Sequence, residues 1–382
     1  MMKEPYQLPR QEKGRPAGKH QKVHGYVPPK TVDNHWNFYK KGIYIAKPGS
    51  GLPGWFLPLL ALLFIVVLVF WAAPSAIARW QSGQQAVQNN EANAVKMIYG
   101  QSTRVVIRSV ADVFEQPDLK AARLTQALYN EPVTLRETAC PYGFAAVRLT
   151  DGTEGFMMTK DLTEDRTSVE PALYTQKLVI ASATKRVMSH ATQGTMLVEV
   201  MMGTVLYADY RGDGISRVHL PDGSEGWISD EGVIILPVNG QIEVPANGAR
   251  YFCSSALTFK QVTVLSNGQS VRGISTTGIV RLAAAVNGMT VPRTLAGLST
   301  SGQALSLITQ EESGLVDLSQ LQAGDLIFLA DTAQPGQIGD LAIYTDTNQI
   351  LYARPMHSSI QLLDLTQNED LWKRIILVRR LF

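Results

Sequence analysis

Cysteine and histidine are scarce in this sequence. Two cysteines, Cys140 and Cys253, and six histidines are spread over 382 residues, and His20, His24 and His35 fall near the start. In an oxidising compartment the two thiols are free to pair, but one pair is no disulfide framework. They read instead as separate, buried small hydrophobes. No cluster of Cys and His has ligand spacing, which leaves neither a metal nor a cofactor expected. A strong charge of either sign is missing as well, since 35 Lys and Arg face 33 Asp and Glu for a net of +2. With 45% apolar residues the chain has ample material for a core, and its length suits two to four domains.

The small net charge hides an asymmetry. Residues 1–53 carry ten Lys and Arg against Glu4, Glu12 and Asp33, a net of +7, so the remainder is mildly acidic and offers no nucleic-acid groove. Between Pro48 and Ala78 no residue is charged, and Trp55 to Ala73 is almost unbroken apolar sequence. As a helix rising about 1.5 Å per residue, that run reaches roughly 28 Å, close to the ~30 Å hydrocarbon layer of a bilayer. Trp55, Trp71 and Trp80 stand where interfacial anchors stand. Ala76-Ile77-Ala78 resembles a cleavage site, yet the preceding leader is far too long for a signal peptide. The expectation is an uncleaved single-pass helix over 54–78, with the basic tail, 1–53, disordered in the cytoplasm and the rest outside. Within the tail, His35 to Tyr44 mixes aromatics with Lys40 and Lys41, a composition suited to anionic headgroups or to a partner.

Residues 79–100 read as a polar stalk. Two segments, 101–166 and 172–237, then show short β-rich runs separated by turn residues. They share a late signature: Val147-Arg148-Leu149-Thr150-Asp151-Gly152-Thr153-Glu154-Gly155-Phe156 and Val218-His219-Leu220-Pro221-Asp222-Gly223-Ser224-Glu225-Gly226-Trp227. Each reads as a strand, a tight Asp-Gly turn with positive φ, and a second strand with an inward aromatic. An internal duplication of a small barrel is expected. Together with Val110-Ala111-Asp112-Val113 and Gly203-Thr204-Val205-Leu206, both copies resemble bacterial SH3 domains.

After a linker at Gln241 to Gly248, the last domain, 243–382, reads as helices followed by an antiparallel sheet, an α+β layout. Its centre is Gly273-Ile274-Ser275-Thr276-Thr277-Gly278-Ile279-Val280, where Ser275 caps an apolar helix that closes at Asn287-Gly288. Such a helix start is where many enzymes mount a nucleophile. Gly288-Met289-Thr290-Val291-Pro292-Arg293, Leu321-Gln322-Ala323-Gly324-Asp325-Leu326-Ile327-Phe328 and Asp340-Leu341-Ala342-Ile343-Tyr344 follow in order. These four landmarks resemble the NlpC-type family of papain-like cell-wall peptidases, among which tandem SH3 modules before the catalytic unit are a known arrangement. The fold class so implied is multidomain: one transmembrane helix, two SH3-like β-barrels and an α+β papain-like (NlpC-type) domain.

The resemblance fails at the catalytic positions. The family's nucleophilic cysteine falls on Thr276, the aspartate before it on Ser275, the base histidine on Asp340 and the third polar residue on Tyr352. A thiol at a helix N-terminus is activated by the dipole and a histidine. An alcohol, with a water-like pKa of roughly 15, is not. Full proton transfer from Thr276 to a carboxylate of pKa about 4 costs on the order of 14 kcal/mol. Ser275 and Thr277 remain as polar groups for a ligand. Cys253 and His357, the one thiol and the one histidine of this domain, offer a rearranged pair, although a packed cysteine and a surface histidine are the plainer reading. Gly278, Gly324-Asp325 and Pro292-Arg293 read as scaffold.

Three functions fit, in this order. The first is a catalytically degenerate protein at the bacterial plasma membrane, with its C-terminal domains extracytoplasmic, that binds peptidoglycan stem peptides or a protein partner. The second is a structural subunit of a cell-envelope complex. The third is an atypical stem-peptide endopeptidase using Thr276 or Cys253.

Overall fold

A computed structural model of the protein describes residues 55, 58–60, 62–63, 98–354 and 357–382. The expected tail, nearly all of the span expected over 54–78 and most of the stalk lie outside the described residues. Among those described, no helix is long and apolar enough to cross a membrane. The chain divides into two compact units, Met1–Ala86 and Val87–Phe382.

In the second unit the expected duplication takes the form of two sheets of seven strands. The first comprises β1 (Thr103–Val106), β2 (Val110–Phe114), β3 (Arg123–Leu128), β4 (Pro132–Leu135), β5 (Phe144–Arg148), β6 (Glu154–Met158) and β7 (Leu162–Thr163). The second comprises β8 (Gln176–Ile180), β9 (Thr184–Met188), β10 (Met196–Met201), β11 (Val205–Gly212), β12 (Ile215–His219), β13 (Glu225–Ser229) and β14 (Val233–Pro237). Their spatial orders, β3-β2-β6-β5-β4-β1-β7 and β10-β9-β13-β12-β11-β8-β14, are the same order repeated. Alternating residues fill each interior: Val106, Val113, Val147 and Met157 in one, Leu178, Val187, Leu206 and Ile228 in the other.

The shared signature repeats bond for bond. In the first copy Leu149 N–H donates to Thr153 O (2.8 Å), Gly152 N–H to Leu149 O (3.0 Å) and Thr153 N–H to Asp151 Oδ1 (3.1 Å). In the second, Leu220, Gly223 and Ser224 make the same three bonds at 2.9, 2.9 and 3.0 Å. Two expectations need correction. Only the glycines are left-handed, with φ of +87° at Gly152 and +80° at Gly223, so the loop is a wider one in which the aspartate side chain braces the turn. The aromatics Phe156 and Trp227 also face outward and stay half-buried, while Gly155 and Gly226 beside them are buried. A Cβ at Gly155 would lie 2.6 Å from Val113 Cγ1, and one at Gly226 would lie 2.3 Å from Val187 Cγ1. The signature's glycines therefore let β6 and β13 close onto β2 and β9.

The C-terminal domain has the expected order of helices before sheet. α1 (Gly248–Leu257), the short strands β15 (Gln269–Ser270) and β16 (Gly273–Ile274), α2 (Thr276–Ala285) and α3 (Leu295–Ser299) come first. β17 (Gln303–Ala304), β18 (Leu326–Ala330), β19 (Ile338–Asp346), β20 (Gln349–Tyr352), β21 (Gln361–Asp364), α4 (Glu369–Trp372) and β22 (Ile375–Arg380) follow. The larger sheet is antiparallel in the order β17-β22-β18-β19-β20-β21. One face, with Leu326, Phe328, Leu341, Ile343 and Leu351, packs on α1 and α2. The other, with Ile327, Leu329, Ala342, Ile350 and Tyr352, packs on Leu365 and Leu371.

The modules are not beads on a string. Leu128 of the first sheet and Val179, Met201 and Met202 of the second belong to the same core as Phe252, Ile279 and Leu282. Fully burying one such leucine contributes about 1.5–3 kcal/mol. The expected linker is packed as well, because Ile242 lies against this core and its carbonyl would stand 2.5 Å from a Cβ on Gly288. Polar contacts reinforce the joint. Gln269 N–H donates to Gln126 Oε1 (2.9 Å), Asn267 Nδ2 to Arg123 O (2.7 Å), and Arg272 pairs with Glu199 (3.0 Å).

Candidate functional site

The helix start expected at Ser275 forms as read. Ser275 is extended (φ −101°, ψ 163°), and its Oγ accepts from Gly278 N–H at 3.2 Å, donates to Gly268 O at 3.3 Å and shares a 2.9 Å bond with Thr277 Oγ1. The cap thereby satisfies a backbone donor that the first turn of a helix otherwise leaves unpaired. Gly278 is required by packing, since a Cβ there would stand 2.2 Å from Gly268 O.

Thr276 is 3% exposed, and its Oγ1 accepts the backbone N–H of Ala353 at 3.1 Å. It makes no hydrogen bond with Asp340 or Tyr352. Those two are bonded to each other: Tyr352 donates its hydroxyl to Asp340 Oδ2 at 2.5 Å, and Leu341 N–H donates to Asp340 Oδ1 at 2.9 Å. Burial pushes the Asp340 carboxyl above its usual range, against the opposing pull of Tyr352, the Leu341 amide and the Arg374 charge. Burial, then the charge and hydrogen bond of Asp340, push the Tyr352 phenol up well beyond its ordinary value, which keeps it a donor.

The three positions are thus neighbours at one end of the sheet, Ala353 being the residue after Tyr352, but they do not converge. Asp340 and Tyr352 open onto a cleft of about 300 Å³ shared with Asp331, Arg354, Asp370 and Arg374. It lies on the face of the sheet that packs on Leu371, away from α2. Thr276 does not line it. Two guanidiniums edge this cleft without having been singled out from the sequence. Arg354 pairs with Asp370 at 3.0 Å, and Arg374 donates Nε and Nη2 to Ala330 O at 2.9 and 2.7 Å. Only the fold places them there, because neither is near a landmark motif.

Cys253 and His357 are not joined. The thiol is buried on α1, 3.7 Å from Tyr344 O, and burial pushes it up to about 11. The exposed His357 ring meets Gln361 Nε2 at 2.8 Å. Both cysteines are free, and Cys140, expected to be buried, is half-exposed in the loop after β4. Asp209, His219 and Glu225 lie close enough to share a cation. The guanidinium of Arg217 meets that charge, at 2.8 Å from Asp209 and 3.5 Å from Glu225.

Arg293, read as a helix stop, has a larger part. Its side chain is 1% exposed and meets Glu131 and Asp151 of the first β-domain, while Nη1 donates to Gln126 O at 2.9 Å. Burial works against ionisation of Asp151, but the Arg293 charge and the hydrogen bonds to Thr153 and Arg293 hold its carboxyl below the usual range.

A capped helix whose first turn meets the end of an antiparallel sheet is a papain-like arrangement, and the comparisons place it more narrowly. A crystal structure of an NlpC/P60 family protein from Bacillus cereus superposes with a TM-score of 0.62 at 19% identity, over 73% of this chain and 99% of that one. An NlpC/P60 endopeptidase from Photobacterium damselae gives 0.48 at 9% identity over 73% and 72%, and NlpC2 from Trichomonas vaginalis 0.36 at 15% over 74% and 97%. No protein-family model and no curated protein matches the sequence. The C-terminal domain has the NlpC-type, papain-like fold. Residues 243–382 are little more than a third of the chain, so the Bacillus cereus likeness takes in the β-domains too.

Proposed function

We propose that this chain is a membrane-anchored, extracytoplasmic protein of the bacterial cell envelope, with two SH3-type modules and an NlpC-type domain that binds peptidoglycan stem peptides or a protein partner without cleaving. The observation that carries this reading is the state of Thr276. Its oxygen is buried, occupied by the Ala353 amide, and out of hydrogen bond with any base. The one carboxylate at the family's base position is committed to Tyr352 and Leu341. Among the described residues no proton acceptor is hydrogen-bonded to the oxygen at the start of α2, which favours binding over cleavage. A ligand still has a place on the far face of the sheet, where the cleft beside Asp340 combines acceptors with the Arg354 and Arg374 donors.

Incubation of the full chain with purified peptidoglycan, followed by mass spectrometry of the supernatant and co-sedimentation of the pellet, tests this. Binding without new stem-peptide fragments is expected. Fragments that disappear in a Thr276→Ala or Cys253→Ala variant would establish an unorthodox endopeptidase instead. Absence of both binding and fragments would leave the structural-subunit reading.

A further inference from the structure

Outside the NlpC-type site, three parts of the fold meet around a second cavity of about 250 Å³. The turn between β3 and β4 brings Leu128 and Tyr129, the turn into β11 brings Thr204 and Tyr207, and α2 brings Arg281. Among the described residues, donors at this cavity are left without a full set of partners. A guanidinium carries five N–H groups. Among the described residues Arg281 uses one, from Nη1 to the neutral Gln269 Oε1 at 3.3 Å. The nearby carboxylates Glu131 and Asp151 are already held by Arg293. Thr204 is 1% exposed and its Oγ1 has no partner among the described residues. A hydroxyl buried in this state has lost its water without a compensating partner. Tyr129, 4% exposed, lines the same cavity.

We propose that this cavity binds a small monocarboxylate with a short apolar chain, its carboxylate on Arg281 and within reach of the Thr204 and Tyr129 hydroxyls. A guanidinium fork matches a carboxylate in two parallel bonds. Leu128 and Val205 supply the apolar wall. The charge of the ligand follows from its surroundings. Glu131 also lines the cavity, so a second negative charge on the ligand would meet repulsion from its carboxylate. The volume corresponds to roughly eight waters at about 30 Å³ each, room for a molecule of propionate size with accompanying water. This site is independent of whether the NlpC-type domain cleaves anything.

The test titrates the purified full chain with sodium propionate, read by saturation-transfer NMR and by thermal unfolding, with inorganic phosphate and chloride in parallel. Saturable propionate binding is expected, with a rise in Tm that equal chloride does not give. Arg281→Gln should weaken that binding at least about tenfold, and Thr204→Val, nearly the same shape without the hydroxyl, severalfold. If Arg281→Gln does not fold, Thr204→Val and Tyr129→Phe decide alone. The proposal is overturned by the absence of saturable propionate binding, by tighter binding of phosphate, or by an affinity that the folded variants leave unchanged.

Discussion

Replacement of Arg293 is the sharpest perturbation the structure offers. The side chain is 1% exposed, and the carboxylates it holds, Glu131 and Asp151, are 11% and 17% exposed. Arg293→Met keeps most of the volume and removes the charge, leaving two acids to face each other's field and the freed carbonyl of Gln126. Removing one partner of a buried ion pair costs about 3–5 kcal/mol, because the charge left behind has lost its solvent without compensation. The same reasoning predicts a rescue. Arg293→Met combined with Glu131→Gln and Asp151→Asn removes the orphan charges and should recover most of the loss. Urea unfolding of the wild type, the single variant and the triple variant measures both quantities. The pH dependence has a defined sign. Asp151 is held below its ordinary value in the folded state, so its contribution is complete above the unfolded pKa of about 3.9 and fades as pH falls through the lower folded value. Arg293→Met should abolish that acid-range component. A single variant costing less than about 1 kcal/mol, or a triple variant no better than the single, would refute the assignment of Arg293 as the polar clasp between the first β-domain and the NlpC-type domain.

Other consequences follow from the same contacts. Thr276→Cys should restore a thiol and no stem-peptide cleavage, checked by mass spectrometry of digested peptidoglycan, because Asp340 is bonded to Tyr352 rather than to the helix start. Tyr352→Phe leaves Asp340 Oδ2 without its donor and should cost about 1–3 kcal/mol in chemical unfolding. Gly278→Ala drives a methyl toward Gly268 O and should cost about 1–3 kcal/mol by overpacking, with the same readout. Under native conditions a maleimide should modify Cys140 quickly and Cys253 only on unfolding, seen as one labelled thiol by intact mass, since the Cys253 thiol is buried and raised to about 11.

Local signals carried much of the fold. Ser275 before an apolar run announced the start of α2, and the two Asp-Gly signatures announced the duplication, because caps and turns are decided by the residues that form them. Side-chain direction was less accessible. Phe156 and Trp227 were expected inside, yet the residue that must be inside is the glycine before each, whose missing Cβ is dictated by Val113 and Val187 on strands more than 35 residues earlier. The joint between domains had no local signal at all. Arg293 finds Asp151 across 142 positions of sequence and Glu131 across 162, a separation that no periodicity reports.

These contacts also explain how the NlpC-type scaffold is held together around the start of α2. What holds α2 in place is the Ser275 cap, the contact of Gly278 with Gly268, and the burial of Ile279 and Leu282 against residues from both β-domains. None of these groups would take part in chemistry at the helix start. Thr276 adds to the same end, because its oxygen receives the Ala353 amide that would otherwise be left unpaired at the end of β20. Asp340 and Tyr352 satisfy one another in the same way on the far face. Each residue at a family catalytic position therefore has a structural partner of its own. Chemistry needs the opposite, a nucleophile and a base whose reactive atoms are held toward each other and left open to a substrate. On the function proposed above, the fold is retained by interactions that leave Thr276, Asp340 and Tyr352 answering to stability and to whatever ligand the clefts admit.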